Sequence, residues 1–295
     1  VIVLVAVVIG VLVVKPRLEH RVVDAVATTP VSPPLSPLAS PSPTGTTAAP
    51  EAGSLSEAYA ALDESVDARI GVAFAPVGDP DAVQTLGSWA SGPAWSTIKV
   101  PLSIALLREE GGGGVTDNMQ AAITASDNGA AQAIWNELGS HQTAADKVSA
   151  VLADAGEQVE VQPEVTRPGF TAFGQTEWSL ADQARFLAHA ACDPAAAPVL
   201  DLMGQIIGGQ RWGLGQLDGA RFKGGWGPGV SGPYLVRQLG LIPTARGEVA
   251  VAIAANRAAS AMSQRGLECP PVSAQTHTDP SGRRTGAESP SAMPC

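Results

Sequence analysis

Apolar and polar positions along the chain fall into segments with two different periods. SLSEAYAALDESVD (54–67) spaces its apolar residues as a helix does. ARIGVAFAPVG (68–78) and AVQTLGSWA (82–90) read as two strands joined by a GDPD turn. AWSTIKVPLSIALLREE (94–110) is apolar enough for a core helix, and the run Gly111–Gly114 ends it. Residues 117–138, 142–155 and 179–191 are again helical in pattern. GARFKGGW (219–226), PYLVRQLGLIP (233–243) and GEVAVAIAAN (247–256) are strand candidates separated by Gly/Pro turns, and RAASAMSQRG (257–266) reads as a last helix. The order is helix, two strands, a helical block, three strands, helix. It predicts an α+β fold: an antiparallel five-stranded sheet flanked by helices, with an inserted all-α domain.

The ends of the chain have a different texture. Residues 1–14, VIVLVAVVIGVLVV, are unbroken apolar and read as a membrane anchor or signal segment. Lys15, Arg17 and Arg21 follow the run, and the orientation is left open by them. Residues 24–54 are rich in Pro, Ser and Thr and read as a semi-extended linker. Residues 270–295 have the same composition and are expected to be a disordered tail. The folded domain is then expected over 55–268, held away from a membrane surface, either anchored or secreted.

Composition removes several function classes. The chain of 295 residues is 45% hydrophobic, sufficient for a sizeable core. A net charge of −10 argues against a nucleic-acid partner, since phosphate binding needs a basic face. The four histidines are scattered without metal-ligand spacing, and the three cysteines form no CxxC pair. No metal and no cofactor is expected.

Three short stretches carry candidate chemistry. Ser96 and Lys99 lie three apart, on one face of the predicted helix and near its start. A serine hydroxyl needs a neighbouring base to become a nucleophile. A lysine can be that base once its pKa falls, through burial and the positive end of a helix. An N-cap serine beside a surface lysine would give the same pattern. Ser126, Asp127 and Asn128 interrupt an apolar helical run, either as a capped turn or as a polar cluster with work to do. In FKGGW, Lys223 precedes Gly224 and Gly225, which would leave a strand edge bare of side chains for an extended substrate. Ordinary turn glycines at a strand end are the alternative.

In chain order these are S-x-x-K, S-D-N and K-x-G. Together with WSTIKVPLSIALL, ITASDNGAAQAIW and FKGGWGPG, they resemble the superfamily of class A β-lactamases and penicillin-binding proteins. The resemblance covers most of 53–268 and implies the following roles. Ser96 is the acylated nucleophile. Lys99 is its general base or part of the proton relay. Ser126 passes a proton to the leaving nitrogen. Asn128 holds the substrate amide and orients Lys99. Lys223 attracts the substrate carboxylate. The backbone N–H groups of Ser96 and Trp226 form the oxyanion hole. The substrate would be a β-lactam or a peptidoglycan peptide.

The sequence departs from that pattern in three places. The stretch 156–177 has no E-x-x-L-N, whose glutamate activates the deacylating water in the β-lactamases; Glu164 is the stand-in by position. Gly224 stands where the family has a threonine or serine. The stretch between Ser96 and Ser126 is shorter than the family's. The acylation set is therefore present and efficient β-lactam hydrolysis is not expected. A non-catalytic cell-wall-peptide or partner-binding protein on the same fold is the competing reading. If the domain lies outside the membrane, Cys192 and Cys269 can form a disulfide, with three free thiols as the alternative.

Overall fold

A computed structural model describes residues 55–229 and 234–257. The anchor segment, the linker, the last helix, the tail, Cys269 and Cys295 lie outside the described residues. Seven strands are described: β1 Arg69–Pro76, β2 Gln84–Gly87, β3 Ser91–Pro93, β4 Glu177–Ser179, β5 Arg221–Pro228, β6 Tyr234–Thr244 and β7 Gly247–Arg257. The α-helices are α1 Leu55–Ser65, α2 Lys99–Glu109, α3 Asp117–Gln120, α4 Asn128–Glu137, α5 His141–Ala153, α6 Leu180–Ala190 and α7 Ala197–Leu202.

Five strands make one antiparallel sheet in the order β2-β1-β7-β6-β5. The long β6–β7 hairpin turns at Thr244–Gly247, and β5 is left as an edge strand. The expected α+β arrangement is what forms. The strands β3 and β4, of three residues each, pair separately, with Gly92 opposite Trp178. They tie the chain just before Ser96 to the start of α6.

Small residues set how closely layers approach. Ala73, Ala252 and Ala254 cluster with Leu180 and Ala184 of α6, so α6 can lie close against β1 and β7. α2, α4 and α5 pack together around Leu102, Leu106, Ile134, Trp135, Val148 and Leu152, all buried. Each such leucine or isoleucine contributes about 1.5–3 kcal/mol by leaving water.

Local chemistry explains the helix ends near the site. Ser96 lies in a 3-10 turn, Trp95–Ile98, and the α-helix proper starts at Lys99. Pro101 is tolerated because first-turn N–H groups have no helical partner. The predicted helix 117–138 is broken: α3 passes into a π-turn, Ala121–Ala125, and Ser126 then adopts left-handed backbone with φ 59°. Asp127 restarts the helix, its Oδ1 accepting from Ala130 N at 2.7 Å.

Candidate active site

The 3-10 turn, the Ser126 turn and strand β5 carry the polar groups singled out in the sequence. Lys99 and Lys223 are buried, with relative exposures of 1% and 0%. The Lys99 ammonium Nζ donates to Ser126 O at 2.6 Å and Asn128 Oδ1 at 2.8 Å, and reaches Ser126 Oγ at 3.4 Å. Lys223 Nζ donates to the same Ser126 Oγ at 2.8 Å and to Gly224 O at 3.0 Å. Ser126 is thus shared by two lysines from different elements.

Ser96 is half-buried, and its Oγ makes no hydrogen bond among the described residues. Its position relative to β5 is fixed by Gly225. A Cβ there would lie 2.9 Å from Ser96 N and 3.1 Å from both Ala94 O and Thr97 N. No other residue could bring strand and turn so close. Two further side chains hold the turn. Thr97 Oγ1 donates to Ala94 O at 2.6 Å and accepts from buried Gln183 of α6 at 2.8 Å. Arg237 of β6, wholly buried, donates to Gly92 O, Pro93 O and Trp178 O at 2.8–2.9 Å.

Electrostatically the site is a buried pair of lysine amines, both disfavoured in their charged forms. Burial pushes the Lys99 ammonium down to about 7, against an opposing pull from Asp127. Burial, and then the charge of Lys99, holds Lys223 well below its usual 10.5. Lys99 also opens α2, where the helix macrodipole further disfavours positive charge. A neutral amine near neutral pH is what a serine-activating base requires.

Backbone conformation marks the same place. Among the described residues only Trp95 (φ 49°) and Ser126 (φ 59°) are non-glycine residues with positive φ. For a residue as large as tryptophan this is a strained backbone, of a kind that gathers at functional sites. The Trp95 indole fits against Gly227, where a Cβ would come within 2.7 Å of the ring.

The remaining candidates are placed as follows. Gly224 lies beneath two tryptophans, a Cβ there meeting Trp212 at 3.2 Å and Trp226 at 3.7 Å. The glycines therefore permit close packing on both faces of β5, in addition to sitting on an edge strand. Trp226 follows Gly225, and its side chain is 38% exposed. Glu164 lies at the surface beside His141. Its exposed carboxylate meets His141 Nδ1 at 3.2 Å, and it joins none of the hydrogen bonds that connect Lys99, Ser126, Asn128 and Lys223. Glu177 accepts from Ser91 Oγ at 2.6 Å. Cys192 is exposed. No group of three or more His, Cys, Asp or Glu among the described residues could hold a metal, and no described helix is long and apolar enough to cross a membrane.

Sequence reasoning missed the contacts of Trp212, Arg167 and Glu157. Trp212 and Trp226 meet edge to face at 6.2 Å. Arg167 packs over Trp95. Glu157, 5% exposed, accepts from Trp178 Nε1 at 3.1 Å. Each reaches its partner across a long stretch of chain, and no spacing rule signals such contacts.

With this geometry the fold can be compared with solved structures. The chromosome-encoded β-lactamase of Vibrio parahaemolyticus matches over 72% of this chain and 93% of its own, at 16% identity and TM-score 0.51. The TLA-3 extended-spectrum β-lactamase matches over 70% and 92%, at 14% identity and TM-score 0.54. A β-lactamase from Streptosporangium roseum matches over 68% and 89%, at 15% identity and TM-score 0.50. No protein-family model and no curated protein matches the sequence. The chain has a β-lactamase-like fold.

Proposed function

We propose that the protein is a serine acyl-enzyme hydrolase that opens a β-lactam or a peptidoglycan peptide amide through Ser96. The observation that carries this reading is the buried Lys99 amine, lowered to about 7 and hydrogen-bonded to Ser126 and Asn128. Ser96 Oγ attacks the carbonyl carbon and its proton goes to neutral Lys99, directly or by relay. The carbonyl oxygen becomes an oxyanion between the N–H groups of Ser96 and Trp226. Ser126, held by both lysines, donates a proton to the departing nitrogen as the C–N bond breaks. Lys99 returns to Ser126 the proton it took from Ser96, so the net transfer is one proton from Ser96 to the leaving nitrogen, while Lys223 holds Ser126 in place. Asn128 orients Lys99 and receives the substrate amide.

Deacylation needs a water and a base. Glu164, the stand-in offered by the sequence, meets His141 and shares no hydrogen bond with Lys99, Ser126, Asn128 or Lys223, which speaks against fast deacylation. The adduct is therefore expected to persist, as in a penicillin-binding protein. Such substrates place the domain outside the cytoplasm, with residues 1–14 as its anchor or signal and residues 24–54 as its spacer.

Intact mass after addition of a penicillin, beside Ser96→Ala, is the test. A persistent adduct that requires Ser96 is the expected result. An adduct that disappears as hydrolysed product accumulates would make the protein a β-lactamase. No adduct with any of several lactams would sink the acyl-enzyme reading in favour of a binding protein on this fold.

A further inference from the structure

Arg167 takes no part in the chemistry above, yet it borders it. Its guanidinium carbon lies 5.5 Å from the Trp95 ring centroid and 4.9 Å from that of Phe170, and those two rings are 5.0 Å apart. Nη1 donates to Pro228 O at 2.9 Å. The backbone beneath it is fixed by Gln175, whose Oε1 accepts from Arg167 N at 2.7 Å and from Thr166 Oγ1 at 2.6 Å. Although the chain carries a net charge of −10, Arg167 forms no ion pair among the described residues. Its Nε and Nη2 make no hydrogen bond among them, and neither atom is sealed from solvent. A cation resting against two rings and tied to a carbonyl, with donors left over, is preorganised to receive an anion.

Its location says which part of a substrate that anion belongs to. Pro228 is the last residue of β5, three beyond the Gly225 that touches the Ser96 turn. At roughly 3.3 Å per residue, the Pro228 carbonyl that holds Arg167 stands about 10 Å along the strand from the residue that meets the Ser96 turn. Lys223 and Ser126, which serve the leaving group, lie in the opposite direction along β5. Resting on the acyl-enzyme reading, we infer that Arg167 selects substrates whose acyl side carries a carboxylate about 10 Å from the scissile carbonyl. The ligand class is an acyl donor with an anionic side chain, as an acidic peptide would present.

Two derivatives of 6-aminopenicillanic acid separate the possibilities: one with an adipoyl side chain, the other with the uncharged hexanoyl chain. An extended adipoyl chain sets its carboxylate on the order of 10 Å from the lactam carbonyl. Second-order acylation rates are measured by intact mass for wild type, Arg167→Lys, Arg167→Gln and Arg167→Glu. Wild type should prefer the adipoyl compound by about three- to tenfold. Arg167→Lys should keep part of that preference, Arg167→Gln should lose it, and Arg167→Glu should invert it. Because each protein is read as a ratio, a general loss of activity cancels. An equal ratio in wild type and Arg167→Gln overturns the inference. If neither compound gives a Ser96-dependent adduct, the acyl-enzyme reading fails instead. Calorimetric binding of the same pair then decides for Arg167: tighter binding of the adipoyl compound to wild type but not to Arg167→Gln sustains it, and equal binding overturns it.

Discussion

Lys99 is the residue on which the site turns, because its charge state is set by where it lies. With 1% of its surface exposed and its ammonium lowered to about 7, it changes protonation near neutrality. Only the neutral amine can accept the Ser96 proton. Acylation should therefore rise about tenfold per pH unit below 7 and level off above it. Stopped mass measurements of adduct formation between pH 5 and 9 would show this. A profile flat across that range would remove Lys99 as the base. Lys99→Ala should slow acylation by about 10² to 10⁴-fold while Asn128 and Ser126 remain. The pair Ser96 and Lys99 could be picked out from the sequence because three-residue spacing and an apolar flank are local features. The depressed charge was foreseeable only as a consequence of burial.

At the scale of elements, function depends on how near β5 comes to the turn that holds Ser96. Gly225→Ala would press a methyl to 2.9 Å from Ser96 N and 3.1 Å from Ala94 O. The strand or the turn must then move by several tenths of an ångström, and the oxyanion donors move with it. Acylation should fall by about tenfold, within the roughly hundredfold that misplacing reacting groups by a full ångström can cost. Circular dichroism should stay close to wild type. Wild-type rates in Gly225→Ala would mean that the contact does not position Ser96. Helices such as α1 and α6 could be read from sequence, since apolar residues recur there at helical spacing; the Ser179 side chain that caps α6 by accepting from Asp182 N is seen in the structure. The strands β5, β6 and β7 were readable too, bounded by Gly and Pro. The β3–β4 pair was not, because three residues carry no period. Nor was the break at Ala121–Ala125, where apolar residues continue through a π-turn and only the polar Ser126–Asn128 betrays it. Arg167 over Trp95, and Trp212 over Gly224, arise when distant segments are folded together.

For the whole molecule, several buried ionisable groups make stability depend on pH, and Glu157 and Lys99 do so with opposite signs. Glu157 has one carboxyl oxygen bound by Trp178 and the other, buried, without a partner. Burial raises it from the usual 4.5 to about 9, with Asp182 adding to the effect. Unfolded, it ionises near 4.5; folded, it stays protonated. Its contribution to stability is full below pH 4.5 and is lost as pH rises through about 9. Lys99 acts the other way. Lowered from 10.5 to about 7, it contributes fully above 10.5 and loses that contribution as pH falls through about 7. Between 7 and 9 the two slopes oppose each other, so wild type alone would hide both. Glu157→Gln isolates one of them, since its amide oxygen can still accept from Trp178. The two proteins should denature alike below pH 4.5. Glu157→Gln should then gain on wild type steadily up to about pH 9, and the gap should stay constant above that. Urea midpoints at a series of pH values measure the gap. A gap that does not change with pH would mean that Glu157 ionises in the folded protein as it does in water, and that the loop carrying it opens to solvent.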